Sequence, residues 1–157
     1  MINKTLCLGL LLGRPWAARC AEVEYHLTIF EKSISPPGKQ VRALAINDSI
    51  PGPVLRFRER DRARIRVTNQ LPAEETSLHR HGLMVPNEQD GVPYLTMSPI
   101  EAGTSHLFEF ELTHPGTYWY HSHTGLQEQR GVYGSIVIEP READPASEDE
   151  FIFVGEP

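Results

Sequence analysis

The sequence predicts an all-β protein, a Greek-key β-sandwich. Apolar and polar residues alternate with period two along most of the chain, as in strands that bury one face. The 13 prolines and 12 glycines fit many turns between short strands. No segment shows the 3.6-residue spacing of a convincing amphipathic helix. At least seven short strands with regularly spaced turn signals are typical of a sandwich.

Length and composition narrow the class of protein. The 157 residues fit a single domain of ordinary size. Hydrophobic residues make up 39% and charged residues 23%, enough apolar material for a core and unlike a disordered chain. The net charge of -6 gives no electrostatic reason to expect nucleic acid or an anionic membrane as a partner.

The first 20 residues differ from the rest. A short apolar run, "TLCLGLLLG", follows Lys4, and "RPWAARC" precedes Ala21. This predicts a secretory signal peptide over 1–20 and a periplasmic or secreted protein, with a buried first strand as the alternative. The run is too short to span a membrane. Both cysteines, Cys7 and Cys20, lie here, so a mature chain would have no disulfide and no thiolate ligand.

Strands are predicted in order along residues 21–140. The segments are "VEYHLTIFEKSI" (23–34), "QVRALAIN" (40–47), a hairpin over 54–69, "SHLFEFEL" (105–112), "GTYWYHSH" (116–123) and "GSIVIEP" (134–140). The hairpin would turn at Glu59-Arg60-Asp61. Its arginines alternate, which predicts a solvated outer face rather than a nucleic-acid site. Residues 141–157 are interpreted as an acidic linker and the start of a following strand.

Four of the seven histidines form two identical pairs. His79 and His81 lie in "LHRHGL", and His121 and His123 lie in "YHSHTG". Residues i and i+2 of a strand point to the same side, so two adjacent strands would place four imidazoles on one patch. Imidazole suits copper, zinc, iron and nickel. The sequence therefore predicts a metal site, either shared among several ions or, if the strands bend, closed around one.

Three segments carry a resemblance to a known family. "LHRHGL", "DGVPYLTMSPI" and "GTYWYHSHTGLQEQRGVYGSIVIEP" resemble the first cupredoxin domain of multicopper oxidases, over about 51–140. The last segment is most similar to the bacterial copper-resistance branch. The resemblance implies a cupredoxin-like domain over 21–140 with copper as its cofactor.

The resemblance also implies roles for single residues. His79 would ligate the type 2 copper of a trinuclear cluster, and His81, His121 and His123 would ligate the type 3 pair. Asp90 matches a family acid that hydrogen-bonds the solvent near the type 2 copper and helps to deliver protons while dioxygen is reduced to water. Arg80 stands where the family often has Trp, on the side facing away from the metal.

Half of the family's cluster ligands and its type 1 copper site have no counterpart in the sequence. One hypothesis is therefore a first domain of an oxidase, completed by further cupredoxin domains in cis or by another chain and supplied with dioxygen and an electron donor. A second is a stand-alone periplasmic module that binds Cu or Zn without turnover. A third is a truncated, non-catalytic remnant. His26, His106 and His114 are isolated, and we expect them to be ordinary polar residues.

Overall fold

The computed structural model describes residues 20–142. They contain β1 (Glu22–Ile34), β2 (Val41–Ile46), β3 (Leu55–Arg58), β4 (Arg62–Asn69), β5 (His79–His81), β6 (Ser105–Glu111), β7 (Gly116–His121) and β8 (Tyr133–Glu139), with one turn of 3-10 helix at Asn87–Gln89. The strands form two four-stranded sheets, in the orders β2-β1-β4-β6 and β3-β8-β7-β5. The predicted all-β sandwich is confirmed.

The first sheet is organised around the long strand β1. Its second half pairs antiparallel with β2, and its first half pairs parallel with β4. Strand β4 pairs on its other side with β6 in antiparallel register. The alternation in β4 places Ala63, Ile65 and Val67 in the core, as the period-two pattern predicts.

The second sheet carries the histidine pairs. Strand β8 lies between β3, which is parallel to it, and β7, which is antiparallel. Strand β5 pairs with the outer edge of β7. The side chains of this sheet meet those of the first in one apolar core, which includes Leu55, Tyr120, Ile136 and, from the other sheet, Phe108. The edge of the sheet that carries the histidines is thereby attached to the core through β7.

The predicted hairpin over 54–69 is wrong. Strands β3 and β4 flank the turn at residues 59–61, but they belong to different sheets. The chain therefore crosses between the two layers at this turn, where Arg60 has a φ of 67°. Period-two alternation does not reveal which partner a strand pairs with, because it records burial of one face only.

The arginines of this segment do face outward, as predicted, but not on one surface. Arg56 and Arg58 lie on β3, and Arg62 and Arg64 lie on β4, on the outer sides of opposite sheets. On β4, Arg64 forms ion pairs with Glu24 and Glu109 of the neighbouring strands. Mixed charge of this kind is a solvated sheet surface rather than a basic patch.

Two predictions fall mainly outside the described residues. The signal peptide expected over 1–20 and the acidic linker over 141–157 overlap them only at Cys20 and at residues 141–142. Both stay predictions. The strands found within 20–142 all lie inside the range 21–140 expected for the domain. Over the same described stretch, no helix has the length and apolar character needed to cross a membrane.

Tyr120 fixes β7 in the core through a close fit with two glycines. Its ring is fully buried, and its hydroxyl donates a hydrogen bond to the Pro53 carbonyl oxygen at 2.7 Å. A Cβ added at Gly134 would collide with the phenol oxygen and ring, and one added at Gly52 would lie 2.6 Å from the same oxygen. The ring therefore has no room to move away from either side.

We expect Gly134→Ala to destabilise the domain by about 3 kcal/mol, the upper end for overpacking a core. Gly103→Ala is the comparison, because an added Cβ there meets nothing within 4 Å but the backbone has a φ of +76°. Left-handed strain alone should cost about 1 kcal/mol there. Urea unfolding of both variants measures the difference. A loss for Gly134→Ala no larger than that for Gly103→Ala would contradict this packing argument.

Candidate metal centre

The two histidine pairs meet because β5 and β7 are antiparallel neighbours. In their register, His79 lies opposite His121, and His81 lies opposite Trp119. Directly opposed residues project their side chains to the same face of a sheet. The first histidine of each motif is therefore placed side by side with the other, as the sequence predicts for adjacent strands.

The four rings form one compact cluster, the histidine cluster, made of His79, His81, His121 and His123. The His79 ring lies 5.7 Å from His81, 5.6 Å from His121 and 4.7 Å from His123, measured between ring centroids. His121 lies 5.8 Å from His81 and 4.7 Å from His123. The structure thus brings all four predicted residues together on one face.

His123 reaches the cluster from the loop after β7 rather than from a strand. Strand β7 ends at His121, so the predicted strand over 116–123 is two residues too long. The backbone N–H of His123 donates to the Ser77 hydroxyl at 2.9 Å, and that hydroxyl lies 3.3 Å from the hydroxyl of Ser122. A buried polar contact between the two motif-bearing segments therefore replaces strand pairing at this position.

Asp90 holds His79 at the inner side of the cluster. The Nδ1 atom of His79 lies 2.9 Å from the Asp90 carbonyl oxygen and 3.3 Å from its Oδ1. The loop can approach this closely because residue 91 is glycine: its φ is 84°, and a Cβ there would collide with the Leu78 carbonyl oxygen. With Nδ1 donating to oxygen, Nε2 of His79 carries the free lone pair.

Two further residues contact His121, and the sequence analysis did not identify either. Glu128 Oε2 lies 2.7 Å from His121 Nδ1. The indole of Trp119 stacks on the imidazole with 3.9 Å between centroids and 6° between planes. Period two could have indicated Trp119, which lies two residues before His121 on the same strand. Glu128 lies in a turn, where no periodic signal exists.

Burial lowers the pKa of His121, and the neighbouring His123 and His79 lower it further, while the Glu128 carboxylate opposes the shift. The pKa of His123 is also lowered, first by burial and then by the charge of His79. An imidazole with a pKa below its ordinary value is neutral at pH 7. Both rings therefore have a lone pair available to a metal.

The cluster fits copper by the chemistry of its donors. His121 is 5% exposed, and within residues 20–142 its buried Nε2 has no hydrogen-bond partner. A buried polar atom without a partner is unfavourable unless something occupies the position it faces. Ligand atoms of His79, His81 and His121 lie within 4.8 Å of one another. Imidazole without thiolate suits Cu(II) or Zn(II) and excludes a blue copper centre.

The other three histidines have local partners away from the cluster. His26 pairs with Glu24 at 3.3 Å on the exposed face of β1. His106 packs on Phe108 along β6, and His114 contacts the Thr113 hydroxyl at 2.7 Å. Each is an ordinary polar residue, as expected.

Arg80 lies between the two histidines of β5 but points into the core. It is fully buried, with its guanidinium 4.1 Å from the centroid of the Phe108 ring. One nitrogen donates to the Leu78 carbonyl oxygen at 2.9 Å, while Nε and Nη2 have no hydrogen-bond partner in the described part of the chain. Burial lowers its pKa to about 9, against the opposing charge of Asp90. Arg80 therefore faces away from the metal side, as the alternation predicts, and remains charged at neutral pH.

Comparison with known proteins gives one consistent result. A family model described as multicopper oxidase matches residues 28–143. Copper resistance protein A of Escherichia coli is 44% identical over 138 residues, covering 88% of this chain and 23% of that protein. Multicopper oxidase MCE of Talaromyces pinophilus is 41% identical over 148 residues, covering 92% of this chain and 24% of that protein.

Solved structures agree with the sequence relatives. A multi-copper oxidase from Pseudomonas thermotolerans superposes with a TM-score of 0.76 at 33% identity, over 81% of this chain and 32% of that chain. The chain thus spans about a quarter of the length of the curated relatives it matches.

The buried charge of Arg80 predicts that a neutral side chain of similar length will stabilise the fold. Arg80→Met removes two unpaired buried nitrogens, and we expect a gain of about 1–2 kcal/mol, reduced by the lost contact with Phe108. Arg42→Met, on the exposed side of β2, is the control and should change stability by less than about 0.5 kcal/mol. Urea unfolding measures both. A clear loss of stability in Arg80→Met would show that the aromatic contact outweighs the desolvation of the charge.

Proposed function

The chain belongs to the multicopper oxidase family, and we propose that it forms a copper-binding cupredoxin domain that supplies half of the histidine ligands of a trinuclear copper cluster. His79 would ligate the type 2 copper, and His81, His121 and His123 would ligate the type 3 pair. When bound, copper supplies the redox chemistry by which dioxygen is reduced to water with electrons from a donor.

The observation that carries this proposal is the opposed register of His79 and His121. It supports one continuous patch of donors rather than two separate pairs, because both rings project from paired positions of adjacent strands. The free Nε2 of His121 supports a ligand at the centre of that patch. His81 and His123 lie at its exposed side, where ligands from elsewhere could complete the coordination.

Asp90 is proposed to act on protons beside the cluster. Its carboxylate is partly exposed and lies 3.3 Å from His79 Nδ1, so it touches both a ligand and solvent. A carboxylate in that position can orient water and pass protons towards the site where dioxygen is reduced. The backbone carbonyl oxygen of Asp90 orients the His79 ring. The carboxylate oxygens of the same residue are therefore free to handle protons.

The remaining parts of the reaction are proposed to come from other domains. Further cupredoxin domains, in cis or on another chain, would supply the other cluster ligands and the type 1 copper that accepts electrons from the donor. A periplasmic or secreted location is proposed from the N-terminal segment and from the similarity to bacterial copper resistance protein A.

A second candidate is a stand-alone Cu- or Zn-binding module without turnover. It is favoured by the ligand atoms of His79, His81 and His121, which lie within 4.8 Å of one another and could contract around a single ion. Three imidazoles and a water are a common zinc and copper coordination set.

We expect the chain purified from residue 21 onward to bind Cu(II) without intense blue absorption, because both cysteines precede that residue. His79→Ala with His121→Ala should weaken binding by about 100-fold or more, beyond the effect of losing an outer-shell contact. Isothermal titration and visible spectroscopy measure affinity and stoichiometry. No sustained oxygen consumption should follow with a phenolic or Cu(I) donor.

The matched control is His26→Ala with His114→Ala, which removes two exposed histidines outside the cluster. It should leave the affinity unchanged. Equal weakening by both double variants would mean that copper binds the surface non-specifically. A blue preparation that consumes oxygen without other polypeptides would contradict the assignment of electron entry to further domains.

A chimera distinguishes the cluster role from the stand-alone module. The matching segment of Talaromyces multicopper oxidase MCE is replaced by residues 21–140 of this chain, and oxygen consumption is measured with that enzyme's donor. We expect measurable oxidase activity, lost on replacing His79 and His121 by Ala. A folded chimera that holds copper but consumes no oxygen would favour the stand-alone module.

A further inference from the structure

We propose that Glu128 is a positioning residue for His121: its carboxylate holds Nδ1 of the ring, so that Nε2 is fixed as the metal-binding atom. This rests on the proposed function and deepens it, because it assigns to the second histidine pair a partner comparable to Asp90 in the first. The proposal concerns the orientation and tautomer of His121, not a chemical step of Glu128.

The geometry around His121 leaves one role for each ring nitrogen. Nδ1 lies 2.7 Å from Glu128 Oε2, and the two side chains are 6% and 32% exposed. An ionised carboxylate only accepts, so its proximity favours a hydrogen on Nδ1. The contact is short but does not have the geometry of a regular hydrogen bond, so the attraction between the carboxylate charge and the ring N–H is its main component. Nε2 is then the atom with a free lone pair.

The ring cannot easily turn away from this arrangement. Trp119 covers one face of His121 in a nearly parallel stack, and the residue is buried. Rotation about the Cα–Cβ bond would break the stack, and a flip of the ring would place a carbon against the carboxylate. Glu128 and Trp119 together therefore restrict both side-chain torsions of His121.

Glu128 is itself held by its buried neighbour, Gln127. The Gln127 amide oxygen accepts from the hydroxyls of Thr76 at 2.7 Å and Ser122 at 2.9 Å, and its nitrogen donates to the Glu75 carbonyl oxygen at 2.8 Å. Gln127 is 2% exposed, and it joins the segment entering β5 to the turn after β7. A satisfied buried network of this kind fixes local backbone geometry. Glu128 follows directly, so its position relative to His121 is set by the same network.

The two strand-paired histidines share one feature of their environment. His79 and His121 lie opposite each other, and each has Nδ1 engaged by an acidic residue from a later loop, Asp90 for one and Glu128 for the other. The matched pairs support a common role in ligand orientation.

The first test reads the tautomer of His121 in the metal-free chain at pH 8, by long-range proton–nitrogen NMR of histidine-labelled protein. Wild type and the control Gln129→Ala, an exposed neighbour, should both show His121 with hydrogen on Nδ1. Glu128→Ala should move the ring towards the Nε2–H form that free histidine prefers. Glu128→Gln should restore part of the Nδ1–H form, because its amide oxygen still accepts. An unchanged tautomer in Glu128→Ala would overturn the proposal.

The second test reads copper. Glu128→Ala should lower Cu(II) affinity by about 10–100-fold and alter the EPR hyperfine coupling, with Glu128→Gln intermediate and Gln129→Ala equal to wild type. A purely structural role would lower thermal stability but leave the EPR parameters of bound copper unchanged, which would overturn the proposal. Should Glu128→Ala fail to fold, the same comparison is made with Glu128→Gln. The two proposals can fail separately. If wild type binds no copper but Glu128→Ala still changes the tautomer of His121, the proposed function is overturned and the orientation of His121 by Glu128 is supported.

Discussion

The antiparallel pairing of β5 with β7 is the constraint on which the site depends. Strand β5 has only three residues, His79–His81, and lies at the edge of its sheet. A register shift of one residue would turn both of its histidines into the core and Arg80 out to the metal side. Two side chains oppose such a shift. Arg80 of β5 is buried against Phe108, and Tyr120 of the neighbouring strand β7 is packed between Gly52 and Gly134.

Arg80 favours the correct register of β5 at a cost in stability. An unpaired buried guanidinium destabilises a core relative to an apolar side chain, yet its size and its contact with Phe108 oppose a slip of the strand. The same side chain lies between His79 and His81 on β5, so any movement of it would move both imidazoles.

The sequence alone predicted the sandwich, most strand positions and the convergence of the four histidines, because each follows from period-two alternation and the identical spacing of the pairs. The predicted hairpin of β3 and β4 was wrong, because both strands alternate in the same way and alternation does not say which strand each one pairs with. In the structure each pairs with strands distant in sequence. The prediction also placed His123 in a strand, although a hydrogen bond to Ser77 positions it. Glu128 lies in a turn, and turn contacts depend on tertiary packing that no local pattern encodes.

The exposure of the four histidines has an order that fits the proposed half-site. His79 and His121, the first of each pair, are covered and have Nδ1 engaged by acidic residues, whereas His81 and His123 are exposed. The inner rings therefore have restricted orientations before any metal arrives, and the outer rings keep the freedom to adjust. Under the proposed function, the covered rings would set where the ions lie, and the exposed rings could adjust to donors that arrive on a separate surface.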